Sequence, residues 1–223
     1  LKDNYYRCGL AGYVDYLARN DGDDVALCHV DMHGNKRELT YNELSIVSNQ
    51  MANYLKDKGI KKGDVVALVL RNNYEFFVVS LAILKLGAVM MPLQYTNKKP
   101  QYESIFKRAN PKCVIACDYE IKQSEDRSAF VLNEIGEACD NDVIKICTNA
   151  NSGFASAWET LDIYKNYETE FTNEEVQITD LGYLFSTSGT TGEPKLVMHN
   201  YGFALSHYYT GLWYGVKRGK KHL

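Results

Sequence analysis

The sequence predicts an α/β fold in which a layered, mostly parallel sheet carries helices on both faces. Short apolar runs, typical of strands covered on both sides, alternate with longer segments of helical periodicity. Gly, Pro and Asn stand at many of the junctions between the two kinds of segment. The chain has 223 residues, of which 45% are hydrophobic, and this is enough to fill a sizeable core. Strands that alternate with helices imply parallel pairing and right-handed crossovers.

The clearest predicted helix begins after Thr40. Thr40 and Glu43 have the spacing of a capping box, in which each residue satisfies a backbone N–H group of the other. Apolar residues then recur at helical spacing from Leu44 to Leu55, and Gly59 is the predicted C-terminal cap.

The other elements follow from the same patterns of apolar runs, caps and breaks. Continuous apolar runs predict strands, Asn72 and Asn73 open a helix that stops at Gly87, and Pro111 precedes the next strand. In chain order the predicted elements are strand 65–70, helix 72–87, strand 88–92, helix 101–109, strand 112–117, a helix within 128–139, strand 143–147, strand 181–185, strand 196–199 and helix 201–214.

We interpret the chain as three consecutive parts of one large domain. Residues 1–147 form the N-terminal α/β part, and residues 148–175, which are rich in Asn and Glu, form a surface connection. Residues 176–223 form a hairpin with a polar loop and a following helix.

The totals exclude several classes of protein. A net charge of −3 argues against a nucleic-acid partner. The longest apolar run is interrupted by Lys85, so we expect no transmembrane segment, and without a charged and apolar leader we expect a cytoplasmic location. The six cysteines contain no C-x-x-C pair, so we expect neither a disulfide scaffold nor a metal site. The oligomeric state is not predicted.

The loop between the last two predicted strands carries the candidate site. Its hydroxyls and glycines provide neutral donors and close backbone approach, and its lysine provides a mobile positive charge suited to phosphate. It joins two strands rather than a strand and a helix, so it is not a Walker A loop. The alternative is a flexible Ser/Thr/Gly linker. The candidate ligands of phosphate are Thr187, Ser188, Gly189, Thr190, Thr191, Gly192 and Lys195.

This loop resembles the phosphate-binding signature T-S-G-T-T-G-x-P-K of the adenylate-forming superfamily, which includes acyl-CoA synthetases. Residues 187–195 match it throughout. Residues 39–44 resemble the family's L-[ST]-Y-x-E-L stretch, and residues 84–93 resemble its L-K-A-G-x-x-x-V-P-[IL] stretch. Leu196 stands where many members have Gly, and residues 196–199 look most like the medium-chain acyl-CoA and acetyl-CoA synthetase branch.

The resemblance implies an AMP-forming acid–thiol ligase that uses ATP, Mg²⁺ and coenzyme A to convert a carboxylic acid into an acyl-adenylate and then into a thioester. Lys195 would stabilise the departing pyrophosphate. The family's T-G-D motif and its C-terminal lysine domain are not in this sequence, so we expect the chain to be an N-terminal portion that is inactive alone. The sequence does not show which carboxylic acid is activated, and a carrier protein remains an alternative to coenzyme A as the thiol acceptor.

Two other function classes remain open, namely a nucleotide-binding module without turnover and a structural α/β domain. His199 is interpreted as a packed residue rather than a catalytic base. The aromatic residues of the last predicted helix, among them Tyr208, Tyr209, Trp213 and Tyr214, are interpreted as core rather than as the border of a substrate tunnel.

Overall fold

The computed structural model describes residues 9–30, 33–118, 120–122, 128–148, 159–187, 194–204 and 206. The helices are α1 (Gly9–Asp21), α2 (Tyr41–Asp57), α3 (Tyr74–Lys85), α4 (Lys99–Ala109) and α5 (Val131–Ala138), with a 3-10 helix at Leu161–Asn166. The strands are β1 (Val25–Val30), β2 (Lys36–Thr40), β3 (Val65–Val69), β4 (Val89–Pro92), β5 (Cys113–Ala116), β6 (Glu120–Lys122), β7 (Ser128–Phe130), β8 (Ile144–Cys147), β9 (Glu159–Thr160), β10 (Leu181–Thr187) and β11 (Lys195–Asn200).

A seven-stranded sheet forms the centre, in the order β11-β10-β4-β3-β5-β8-β9. The neighbours from β10 to β9 pair in parallel, and β11 pairs antiparallel with β10. The small pairs β1-β2 and β6-β7 are antiparallel. The predicted α/β class and mostly parallel sheet are therefore confirmed.

The residues of β3 alternate between two cores on opposite faces of the sheet. Val66 and Leu68 belong to a first core, to which α1, α2 and α3 contribute. Ala67 and Val69 belong to a second core, to which α4 and α5 contribute. Both faces are apolar because both are covered, which is the reason that the strand sequence is continuously hydrophobic.

The predicted capping box of α2 is present. The Glu43 N–H donates to Thr40 Oγ1 over 3.2 Å, and the Thr40 N–H donates to Glu43 Oε2 over 2.8 Å. Helix α2 ends at Asp57, and Gly59 follows with a φ of 87°, a left-handed conformation that favours glycine. Asn73 caps α3 by accepting a hydrogen bond from the N–H of Phe76.

The sequence patterns missed several elements. Helix α1, the hairpin β1-β2 and strands β6, β7 and β9 were not predicted. The helix expected within 128–139 is confirmed as α5, and residues 128–130 before it pair with β6 as strand β7. A three-residue strand is too short to give a periodic pattern.

Side-chain amides of α2 hold the chain segment that leads to β10. Gln50 Nε2 donates to the carbonyls of Lys165 and Tyr167, at 2.9 and 3.0 Å. Asn53 Nδ2 donates to the carbonyls of Glu168 and Glu170, at 2.9 and 2.8 Å. We call residues 161–176 the connecting segment. These bonds add to its apolar contacts with the first core, among them the ring of Tyr167 at 5.5 Å from that of Tyr54 on α2.

A buried ion pair joins α1 to the end of α3. Lys85 Nζ lies 2.6 Å from Asp15 Oδ1 and 2.6 Å from Asn49 Oδ1, and the lysine side chain is 0% exposed. Asp15 also accepts hydrogen bonds from Ser45 Oγ and from Asn173 Nδ2, each at 2.7 Å. Through Asn173 this cluster also fixes the connecting segment.

Candidate functional site

The candidate site lies at the carboxyl ends of the parallel strands. Strand β10 runs parallel to β4 and ends at Thr187, and β11 begins at Lys195 and returns antiparallel. The predicted pair of strands on either side of the loop is therefore confirmed. In open α/β sheets, ligands bind outside this edge of the sheet.

The two ends of the loop face each other across the hairpin. Thr187 and Lys195 are register partners, and both are exposed. The hairpin thus holds one predicted hydroxyl donor and the predicted cation opposite each other at the mouth of the loop. The other predicted ligands, Ser188, Gly189, Thr190, Thr191 and Gly192, lie outside the described residues.

The packing of β10 explains how the hairpin is held in the sheet. Tyr183 is buried in the first core, and Leu184 is buried in the second core. Gly182 lies beneath the ring of Tyr201, where a Cβ atom would be 2.9 Å from Tyr201 Cδ2. The Tyr201 hydroxyl donates to the carbonyl of Ala88 over 2.7 Å, which ties the end of β11 to the start of β4.

An aromatic cluster lies on one face of the hairpin. The ring of His199 is 5.4 Å from that of Phe185 and 4.1 Å from that of Phe203, measured between centroids. Tyr183 stacks on Phe185 at 6.1 Å, and burial raises the pKa of its hydroxyl to about 12. His199 thus packs against two aromatic rings, and its interpretation as a structural residue rather than a catalytic base stays a prediction. Tyr208, Tyr209, Trp213 and Tyr214 lie outside the described residues, and of the predicted helix 201–214 only 202–204 and 206 are described as helical.

Arg108, near the end of α4, contacts the loop at the residue before Lys195. Its Nη2 group donates to the carbonyl of Pro194, the residue before Lys195. Its Nε group donates to the carbonyl of Ser104 over 3.0 Å, and Nη2 also lies 3.4 Å from Ser104 Oγ. Sequence reasoning missed Arg108, because nothing local in 99–109 indicates a contact with a residue 86 positions later.

Further polar side chains follow neighbouring strands at the same edge of the sheet. Arg71 comes after β3, and its guanidinium carbon lies 5.0 Å from the ring centroid of Tyr95, which comes after β4. Asp118 follows β5 and is 8% exposed. This edge of the sheet therefore carries charge of both signs.

Within the part of the chain that the structure describes, no group of three or more His, Cys, Asp or Glu side chains could hold a metal ion. No helix among those residues is long and apolar enough to cross a membrane. Cys113, Cys117 and Cys147 are buried, and cysteine at such positions packs as a small hydrophobic residue.

Comparison with known proteins shows which proteins this chain is similar to. The family model described as AMP-binding enzyme matches residues 14–221. The 4-hydroxybutyrate–CoA ligase 1 of Metallosphaera sedula is 30% identical over 215 residues, which are 95% of this chain and 35% of that protein. The acetyl-coenzyme A synthetase of Yersinia pseudotuberculosis is 30% identical over 203 residues, which are 86% of this chain and 31% of that protein.

Among solved structures, the acyl-CoA synthetase of Brucella canis superimposes with a TM-score of 0.69 at 25% sequence identity, covering 85% of this chain and 33% of that one. The chain therefore spans about a third of the length of the relatives that it matches.

Proposed function

The chain belongs to the AMP-binding enzyme family, and from this premise we propose that it is the polyphosphate-binding portion of an ATP-dependent carboxylate–coenzyme A ligase. In the first step a carboxylate oxygen attacks the α-phosphorus of ATP. The bond to the bridging oxygen breaks, and pyrophosphate leaves with the bonding electron pair. In the second step the sulfur of coenzyme A attacks the acyl carbonyl carbon, and AMP leaves.

The loop that begins at Thr187 and ends at Lys195 would bind the β- and γ-phosphates. Backbone N–H groups at Gly189 and Gly192 supply donors without a blocking side chain. The hydroxyls of Thr190 and Thr191 are our preferred direct contacts, with Ser188 next. Charge develops on pyrophosphate as it departs, so preorganised donors at this point lower the barrier to the reaction.

The observation that carries the proposal is the pairing of Thr187 with Lys195 across the hairpin. It brings both ends of the signature to one point at the carboxyl edge of a parallel sheet, where ligands of such sheets bind. The exposure of Lys195 leaves its ammonium group accessible to a ligand. In a flexible linker there would be no reason for β10 and β11 to pair as far as Thr187 and Lys195.

Magnesium is assigned no step in this proposal. The ion implied by the family would be bound largely through the phosphates of ATP, as is usual for Mg²⁺ in nucleotide sites. Coenzyme A as the thiol acceptor, a free carboxylic acid as substrate, a cytoplasmic location and the division at residues 147 and 175 remain predictions.

Exchange of labelled pyrophosphate into ATP, dependent on added carboxylic acid, tests the first step. The assay uses the product of the complete reading frame that contains this sequence, and, in parallel, residues 1–223 alone. We expect Lys195→Ala to lower kcat by about 10- to 1000-fold, as for other lost transition-state donors, with little change in KM for the acid. Lys195→Arg should recover only part of the loss, because a planar fork differs in shape from an ammonium group.

Lys107→Ala is the matched control, because Lys107 is an exposed lysine on α4. Wild-type exchange in Lys195→Ala would refute the role of the loop. Robust exchange by residues 1–223 alone would refute the expectation that essential groups lie outside this chain.

The two other function classes give different results in the same experiment. A nucleotide-binding module would bind ATP in a calorimetric titration, lose that binding on Lys195→Ala, and show no exchange. A structural domain would neither bind ATP nor respond to the substitution.

A further inference from the structure

The guanidinium group of Arg108 links α4 to Pro194, the residue before Lys195 in the proposed phosphate loop. We propose that Arg108 is a positioning residue, which fixes the Pro194–Lys195 peptide plane and thereby the direction of the Lys195 side chain. The inference rests on the proposed function for its effect on catalysis, but the anchoring contact itself can be tested separately.

The helix that carries Arg108 is a rigid support. Tyr102 and Ile105 of α4 are fully buried in the second core, and Phe106 is nearly so. The Tyr102 hydroxyl donates to the carbonyl of Gln94 over 2.9 Å, which fixes the helix to the chain that follows β4. A group held on such an element is more precisely placed than a group held on a loop.

Arg108 is itself held in one orientation. The Nε–H bond to the Ser104 carbonyl and the Nη2 contact with Ser104 Oγ direct the side chain back along its own helix. The guanidinium group is planar, so these contacts also fix the direction in which Nη2 reaches Pro194. The bond to the Pro194 carbonyl is therefore made by a preorganised donor.

Holding the Pro194 carbonyl has a direct consequence for Lys195. The carbonyl of Pro194 and the N–Cα bond of Lys195 lie in one peptide plane. Proline also restricts its own φ, so fixing the carbonyl removes most of the remaining freedom at this junction. Strand pairing of Lys195 with Thr187 then sets the position of the Cα atom, and the side chain leaves it in a defined direction.

An alternative role for Arg108 is direct contact with phosphate. The hydrogen bonds that the structure gives use Nε and Nη2, so Nη1 makes none with the described residues. The contact with Pro194 favours a positioning role, because the Arg108 guanidinium already donates a hydrogen bond to the backbone of the loop. Direct contact is therefore an outcome that the test must separate from positioning.

The first experiment measures anchoring without any ligand. Amide hydrogen exchange of peptides covering residues 194–200 is compared in the wild-type chain, Arg108→Ala, Arg108→Lys and the control Lys107→Ala. We expect exchange to be faster by about threefold or more in Arg108→Ala, and unchanged in Lys107→Ala. Equal exchange in wild type and Arg108→Ala would overturn the anchor, whatever the function of the loop.

The second experiment is a double-mutant cycle between Arg108→Ala and Lys195→Ala in the pyrophosphate exchange assay, on the product of the complete reading frame. A misplaced catalytic group typically loses about 10- to 100-fold in rate, so we expect Arg108→Ala to lower kcat by this factor with KM for the acid within about twofold. On the Lys195→Ala background the further loss should be less than about twofold, because Arg108 acts through Lys195.

The outcomes separate the possible failures. If the losses in kcat of the two single variants add fully in the double variant, Arg108 does not act through Lys195. It would then contact phosphate directly or have an unrelated structural effect. Arg108→Lys should lose kcat and exchange protection together, because lysine lacks the planar group that makes these bonds; wild-type kcat without exchange protection would show that charge acts without anchoring, and would also overturn the inference. If Lys195→Ala itself has wild-type activity, the proposed function fails, and the hydrogen-exchange result alone decides whether Arg108 anchors the loop.

Discussion

Replacing Lys85 by Met tests the buried ion pair that joins three helices to the connecting segment. The ammonium group is fully buried and lies 2.6 Å from Asp15 Oδ1, and the Asp15 side chain is 15% exposed. Methionine keeps most of the apolar stem of the lysine, so the substitution removes the charge while leaving little cavity. The carboxylate of Asp15 then keeps two neutral donors, Ser45 and Asn173, but loses its cation.

The magnitude follows from this arrangement. Removing one partner of a buried pair costs about 3–5 kcal/mol when the other is left charged and uncompensated. The remaining exposure of Asp15 and its two neutral donors reduce that penalty, so we expect a loss of about 3 kcal/mol in the free energy of unfolding. A typical domain has only about 5–15 kcal/mol in total, so the loss is a large fraction.

Urea unfolding followed by far-UV circular dichroism measures the effect. With a slope of about 1–3 kcal/mol per molar urea, the midpoint should fall by about 1–3 M. Adding Asp15→Asn to Lys85→Met should restore part of the loss, because a neutral amide is less costly to bury than an unpaired carboxylate. Lys107→Met, an exposed control, should change stability by less than about 0.5 kcal/mol. A loss of less than about 1 kcal/mol in Lys85→Met would refute the reasoning.

Three other substitutions test local features by unfolding measurements. Thr40→Ala removes the N-cap of α2 and should cost about 1 kcal/mol; an unchanged midpoint would contradict the capping role. Asn53→Ala removes two hydrogen bonds to the connecting segment and should cost about 1–2 kcal/mol, with faster proteolysis within 161–176; unchanged cleavage would contradict it. The pKa of Asp180 lies below its ordinary value of 3.8, because it accepts hydrogen bonds from the Gln177 N–H and from Lys62. Its stabilising contribution should therefore be complete at neutral pH and be lost as the pH falls through the lowered pKa, and Asp180→Asn should remove that acid-dependent part; an unaltered pH profile would contradict the assignment.

Local patterns predicted the parts of the fold that depend on local physics. The helix caps at Thr40 and Asn73 depend on side chains three residues from the groups that they satisfy, so spacing alone reveals them. The apolar runs at β3 and β5 are long enough to indicate strands covered on both faces. By contrast, β6 and β7 are three residues each and depend on each other, so neither leaves a pattern of its own.

Charged residues with distant partners could not be interpreted from the sequence. Lys85 appears in an apolar run as an interruption, and only the fold shows that Asp15, 70 residues earlier, makes its burial possible. Arg108 appears as a helical surface residue, and its contact with Pro194 depends on the order of the strands. Two polar residues that meet from distant parts of the chain produce no periodic pattern in the sequence. The apolar pattern therefore predicts the two cores but not these long-range hydrogen bonds and ion pairs.

The candidate loop was recognised as a motif, but the structure gives a physical account of why its ends are placed where they are. The amides of α2 and the Lys85 cluster fix the connecting segment on the face of the first core. The Tyr201 hydroxyl fixes the end of β11 to the start of β4, and Arg108 holds the end of the loop from the face of the second core. The hairpin is therefore constrained from both faces of the sheet, while Lys195 itself remains exposed. The constrained backbone fixes the point from which the Lys195 side chain extends, and a fixed starting point is one part of the preorganisation that the proposed role of the loop requires.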